Sequence, residues 1–201
     1  MKLFFFCLSL FAVNFAWAYG IGQSSLPLPA GKKLISTEAS GIVSDGGGVG
    51  LQARYVQKLT QPMLFDAGFG VSGGDRSNRL FAGLDYEIFP DYERQPRVSI
   101  KTTYENAKEY KYRQNILSIA PTVSKGVSFR GREGFPYIAI PVGLSLENQT
   151  KTYQTTAQVN LGLNTPLPLG DFEKLIAHGE VFLNLKDSFS GALVGLSYPL
   201  N

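Results

Sequence analysis

Hydrophobic and polar residues alternate along most of this chain. "YQTTAQVNLGLN" (153–164) does so without a slip, with Tyr153, Thr155, Ala157, Val159, Leu161 and Leu163 opposed to Gln154, Thr156, Gln158, Asn160, Gly162 and Asn164. Successive side chains of a strand point to opposite faces, so the segment predicts a strand with one apolar and one polar face. The same period recurs in "GVGLQARYVQKL" (48–59), "MLFDAGFGVS" (63–72), "LFAGLDYEI" (80–88) and "VSIKTTYE" (98–105). Further strands are expected at 115–125, 137–147, 176–186 and 189–200, with a weaker one, "KLISTEASGIV", at 33–43. The separators are turn chemistry: "SDGGG", "GGDRSN", "FPDYERQP", "NQT", "TPLPLG" and "KDS". The pattern predicts an all-β chain of about ten antiparallel strands, with eight or twelve as the alternative counts.

Alternation alone does not say which face meets the interior. Strands near ten residues exceed the five or six usual in globular sheets but match a tilted crossing of a bilayer. The polar faces carry Gly50, Gly68, Gly70, Gly83, Gly143, Gly162, Gly191 and Gly195. Glycine weakens a solvent-facing strand, whereas opposite walls of a narrow closed barrel need small residues where they crowd. The apolar faces carry aliphatic residues, with Tyr55, Tyr86, Tyr104, Tyr153 and Tyr198 near strand ends, as a lipid-facing surface with wet margins would. In lipid every backbone group must be paired, so the sheet must close. The expected fold is a closed antiparallel up-and-down transmembrane β-barrel.

This pattern resembles the small outer-membrane β-barrel family of the OmpA/OmpX kind over residues 34–201. The closing "GLSYPL" supplies Gly195, Tyr198 and Leu200 of that family's last-strand pattern, with Asn201 in place of a final aromatic residue. The resemblance implies residence in a Gram-negative outer membrane, contact with its lipid, and insertion by the barrel-assembly machinery. Ten strands place the longer connections, around "KGVSFRGREGFP" and "NTPLPLGDFEKL", at the end where the strand array starts and finishes. The family's usual habit is the reverse.

The chain opens "MKLFFFCLSLFAVNFAWA", with Lys2 ahead of an apolar run and Ala16-Trp17-Ala18 as a small-x-small cleavage site. Residues 1–18 are therefore expected to be a secretory signal peptide. Residues 19–33, rich in Gly, Ser and Pro, read as an N-terminal arm, and 34–201 as the barrel domain. Cys7 is the only cysteine, so no disulfide is expected. The formal charge of +3 includes Lys2, and no basic cluster suits nucleic acid. No metal or cofactor motif is found, since "DGGGVG" (45–50) lies between strands and reads as a hairpin turn.

Two constellations carry candidate chemistry. If Leu59 pairs with Met63, Asp66 lies diagonal to both Arg54 and Lys58, and the next hairpins bring Asp85 towards Asp66 and Lys101 towards Asp85. Such a lumenal network would tie the walls together and close the pore. In a register that pairs residues 186 and 189, the single histidine, His178, faces Ser197, with Glu180 on the same face. That is a nucleophile–base–orienter arrangement, to be weighed against a lumen-filling histidine. The His-x-Ser-Asn motif of lipid A deacylases is absent, the chain having His178-Gly179-Glu180. Lys125, Arg130 and Arg132 are candidates to touch anionic headgroups.

The function expected from these readings is a non-enzymatic outer-membrane barrel with a filled lumen and a structural or surface-interaction role. The alternatives are a soluble periplasmic lipocalin-like barrel with an apolar cavity, and a lipid-modifying enzyme using His178 and Ser197.

Overall fold

The computed structural model describes residues 20–44, 48–72, 76–109, 112–129, 131–149, 151–167 and 174–200. The signal-peptide expectation, the centre of the "DGGGVG" turn and Arg130 lie outside these. Twelve strands follow a single 3-10 turn at Gln23–Ser25: β1 (Lys33–Ile42), β2 (Gly48–Lys58), β3 (Met63–Ser72), β4 (Arg76–Phe89), β5 (Arg97–Glu109), β6 (Tyr112–Ser124), β7 (Val127–Phe129), β8 (Arg132–Ala139), β9 (Val142–Glu147), β10 (Tyr153–Pro166), β11 (Ile176–Lys186) and β12 (Gly191–Leu200).

They make ten staves. Neighbours in sequence pair antiparallel from β1 to β6, and β12 pairs with both β11 and β1, which closes the barrel. β8 and β9 form one stave between β6 and β10, interrupted at Ile140 and Pro141. Proline has no N–H for the ladder, so the break falls where it must. The flanking bonds hold the gap together: Ile140 N–H donates to Pro121 O at 3.1 Å, and Gln158 N–H to Pro141 O at 3.1 Å. β7 pairs only with β8 and stands outside the ring.

The burial pattern is inside out. Outward positions are apolar and exposed, including Leu80 at 61% and Val194 at 63%. Inward positions are polar or charged, with Glu38, Asp85, Ser99 and Asn160 at 0%. Tyr86, Tyr104, Tyr153 and Tyr198 stand on the outer surface. This is the reverse of a lipocalin-like barrel, whose cavity would be lined by apolar residues; the lumen here is polar and filled.

Three glycines make room for aromatic rings. Gly68 is registered opposite Phe81, Gly162 opposite Tyr137, and Gly191 opposite Phe182. A Cβ at any of the three would overlap the facing ring. Each ring therefore lies across the bare backbone beside it and fills the lumen without pushing the walls apart.

The connections 43–47, 73–75, 110–111, 148–152 and 187–190 lie at one end, called here the far end. The other, terminal end holds the start of β1, the finish of β12, and the longer connections 90–96, 125–131 and 167–175. Gly162→Val should cost about 1–3 kcal/mol by overpacking against Tyr137. It should lower the temperature at which the folded band disappears on an electrophoretic gel. Combining it with Tyr137→Ala should cost less than the two changes summed.

Candidate functional site

The lumen is filled partly by main chain. Residues Gly20–Leu26 run inside the barrel and are buried. Their composition suits this path, because Gly and Ser occupy little width and offer backbone and hydroxyl groups to polar walls. Gly22 adopts φ 76°, a left-handed conformation that glycine accepts without strain. A Cβ there would also meet the Arg54 guanidinium, 2.7 Å from Nη1.

Every part of this plug is held by the walls. Arg54 Nη2 donates to Gly20 O at 3.1 Å, and Lys101 Nζ donates to Ile21 O at 2.7 Å. The Ile21 and Gly22 N–H groups donate to the Glu180 carboxylate at 3.0 and 3.4 Å. Gln23 Nε2 donates to Ser197 Oγ at 2.9 Å. Ser25 Oγ accepts from Asn164 Nδ2 at 2.7 Å and donates to Phe135 O at 3.0 Å. Below this, Leu26 joins Leu34, Val56 and Leu64 in an apolar stopper, with Leu28, Phe135 and Ile176 packed on it. Towards the far end, Ile42, Phe182 and Leu193 form a second apolar layer with Phe189 against it.

Between these layers lies the charge network. Arg54 Nε donates to Glu38 Oε1 at 2.9 Å, and Nη1 to Asp66 Oδ2 at 2.5 Å. Lys101 Nζ stands 2.8 Å from Asp66 Oδ1. Gln52 donates to Glu38 from the side. The Arg54 guanidinium also lies over the Phe81 ring, 4.7 Å from its centroid, and Arg79 is 4.9 Å from the same ring. Arg54, Asp66, Lys101 and Glu38 are all buried in this layer.

The expected set of Arg54, Lys58, Asp66, Asp85 and Lys101 is only partly assembled. Arg54, Asp66 and Lys101 meet. Asp85 sits opposite Lys101 in the β4–β5 register, but its carboxylate accepts from Arg97 Nη2 at 2.7 Å. Arg97 is shared with Glu87 at 2.6 Å, so this second cluster belongs to the terminal end. Lys58 forms no ion pair with Asp66. It lines a terminal-end cleft of about 550 Å³ with Glu87, Arg97 and the arm residues Leu26–Ala30. The Leu59–Met63 pairing itself is present, with Leu59 N–H donating to Met63 O at 2.9 Å. Register places Lys58 and Arg54 equally, two residues to either side of Val56, which faces Asp66; Asp66 is taken by Arg54 and Lys101.

The Ser–His–Glu arrangement does not form. β11 and β12 pair two residues out of the expected register, with His178 opposite Gly195 and Ser197 opposite Ile176. Ser197 Oγ shares a hydrogen bond with Ser36 Oγ and accepts from Gln23. His178 Nδ1 bonds Asn164 Oδ1 at 2.9 Å, and its ring stacks on Tyr137 with centroids 6.3 Å apart. Glu180 accepts from Tyr137 and Asn160 as well as from the plug, with His178 Nε2 3.5 Å away. Among the described residues, neither Ser197 nor another hydroxyl or thiol nucleophile is hydrogen-bonded to the imidazole.

At the terminal end, Lys125 is occupied by Asp91, and its Nζ also donates to Glu93 O at 2.6 Å. Gly126 N–H donates to Asp91 Oδ2 at 2.6 Å. This clasp joins the 90–96 and 125–131 connections. Partial desolvation pushes the Asp91 carboxyl up, but Lys125 and the Gly126 N–H outweigh it and hold the group below its ordinary value. Arg132 is exposed.

No protein-family model matches the chain, and no curated protein sequence matches it. Among solved structures it is similar to Ail, the attachment invasion locus protein of Yersinia pestis, determined in complex with the heparin analogue sucrose octasulfate. The match has 10% sequence identity and a TM-score of 0.33, and covers 86% of this chain and 100% of that one.

Arg54→Met should destabilise the barrel by about 3–5 kcal/mol in denaturant unfolding, because Glu38 and Asp66 remain buried without their shared cation. Adding Asp66→Asn should recover part of that loss. A carboxyl with a depressed folded value contributes stability above its unfolded value and loses it as pH falls through the folded one. The Asp91 clasp should therefore hold at neutral pH and open in acid. Pepsin cleavage within 125–131 should rise as pH drops, and Asp91→Asn should cut that pH dependence.

Proposed function

We propose that this protein is an outer-membrane β-barrel of the small OmpA/OmpX-like kind, exported by its N-terminal leader. Its lumen is sealed by its own arm, and its role is structural or surface-interacting rather than catalytic or conductive. One observation carries the reading: the outer faces of the staves are apolar and exposed, while the lumen holds buried polar and ion-paired groups between two apolar layers. In water that surface would expose far more contiguous apolar area than a monomeric soluble protein tolerates. In a bilayer it is solvated by lipid, and closure leaves no backbone edge unpaired. The sealing reading rests on Arg54, Lys101 and Glu180, which use the arm's main chain as a partner. Against an enzymatic role stands the absence, among the described residues, of a nucleophile beside His178.

The protein should sediment with outer membranes, resist alkaline carbonate extraction, and change gel mobility on heating. Recovery in the osmotic-shock fluid would overturn the membrane reading. Val194→Arg, on the outer face of β12, should cost roughly 2–4 kcal/mol or block assembly if that face meets lipid. Planar-bilayer conductance of the wild type should be small or undetectable. A large, steady conductance would replace the sealed barrel with a pore.

A further inference from the structure

The outer face of the β5–β6 pair changes character along its length. From mid-wall to the far end, the facing residues are Thr102 and Ile119, Tyr104 and Leu117, Asn106 and Asn115, then Lys108 and Arg113. Thr103 and Ala107, which alternate with them, are buried, whereas Tyr104, Lys108 and Arg113 are exposed. The surface that meets lipid under the membrane reading is therefore apolar, then aromatic, then amide, then cationic. Its last rung opposes two like charges, an arrangement that repels and weakens a strand pair.

Among the described residues, no carboxylate forms an ion pair with either Lys108 or Arg113. Arg113 is held by neutral amide oxygens instead, donating from Nη1 to Asn106 Oδ1 and from Nη2 to Asn78 Oδ1 at 3.3 Å. Asn106 Nδ2 and Tyr104 Oη donate to Asn115 Oδ1 at 2.7 and 2.8 Å, and Asn115 Nδ2 donates to Asn148 Oδ1 at 2.6 Å. This chain of amides crosses β4, β5, β6 and the turn after β9, so the guanidinium is fixed in place without its charge being met. The patch is left with two facing cations and an apolar wall directly below them.

We propose that Lys108 and Arg113 form a headgroup site for a phosphate-monoester lipid of the far-end leaflet, whose acyl chains lie along Tyr104, Leu117 and Ile119. A phosphate monoester carries roughly −1.5 to −2 charges at neutral pH, which matches two cations; a diester headgroup carries one. A soluble anion would meet the charge but leave the wall beneath it unused, and the patch faces sideways from the barrel, where lipid headgroups stand. The proposal rests on the membrane reading and names the lipid class that this part of the wall selects.

The test titrates the protein, purified from membranes in detergent, with phosphatidic acid (a monoester) or phosphatidylglycerol (a diester), and counts bound lipids by native mass spectrometry. Phosphatidic acid should bind at least fivefold more tightly. Lys108→Glu should abolish that preference and, by setting an anion opposite Arg113, raise the temperature at which the folded band disappears on a gel. A patch with only a structural role would not lose lipid and gain stability together. Lys108→Arg should keep the preference, and so should Arg132→Gln at the terminal end. Should Lys108→Glu fail to fold, Lys108→Gln replaces it and should weaken phosphatidic acid binding at least threefold. Equal binding of the two lipids, or a preference untouched by removal of the Lys108 charge, overturns the proposal and leaves the barrel in its membrane. Displacement of phosphatidic acid by an equal concentration of inorganic phosphate also overturns it, in favour of a soluble-anion site. A protein that stays soluble and monomeric without detergent rejects the membrane reading itself.

Discussion

Arg54 is the point at which four parts of the chain meet. Its guanidinium binds Glu38 on β1, Asp66 on β3 and the Gly20 carbonyl of the arm, and covers the Phe81 ring of β4. A planar cation with five donors in a fixed fork can serve partners in several directions at once. The barrel depends on this because its interior is built from polar groups. An apolar core tolerates a misplaced methyl group at modest cost, but a polar core must have its donors and acceptors matched. Glu38 and Asp66 approach each other only because Arg54 stands between them, and the plug sits where its spare donor points.

Closure of the sheet sets the rest. With β12 paired to β1, the ring itself has no free edge, and the width of the lumen is fixed by strand number and tilt. That width is too great for small side chains to fill and too small for large ones on every wall. The structure resolves the conflict in two ways. Rings of Phe81, Tyr137 and Phe182 lie over glycines on the neighbouring stave, and a segment of main chain takes the axis.

Much of this is legible in the sequence, and the reasons differ by level. Strand positions, their number and the inward polar faces follow from alternation, because period 2 is imposed by backbone geometry alone. The meeting of Arg54 and Asp66 follows from the tight 59–62 turn, whose length fixes register, whereas the pairing of Lys101 with Asp66, two strands away, does not. Asp85 escapes the same reasoning because register places Cα atoms, while Arg97 competes for its carboxylate from four residues along the facing strand. The β11–β12 register escapes it because the 187–190 connection takes more residues than a two-residue hairpin. The plug leaves the faintest trace. Its sequence is that of a linker, and nothing local distinguishes a glycine-rich arm in solvent from one in a lumen. The available sign is on the walls: Leu34, Val56 and Leu64 are apolar residues on inward faces.

The plug's bonds also impose an order on assembly. Ile21 and Gly22 contact Glu180 across separations of 159 and 158 residues, and Gln23 reaches Ser197 across 174. The first described residues of the chain are therefore seated by the last strands. Until β11 and β12 are in place, the arm has no acceptor for its amides and the axis of the barrel stands open. Closure of the ring and seating of the plug are thus tied to the same step, so a barrel with its arm in place has, by construction, paired its last strands.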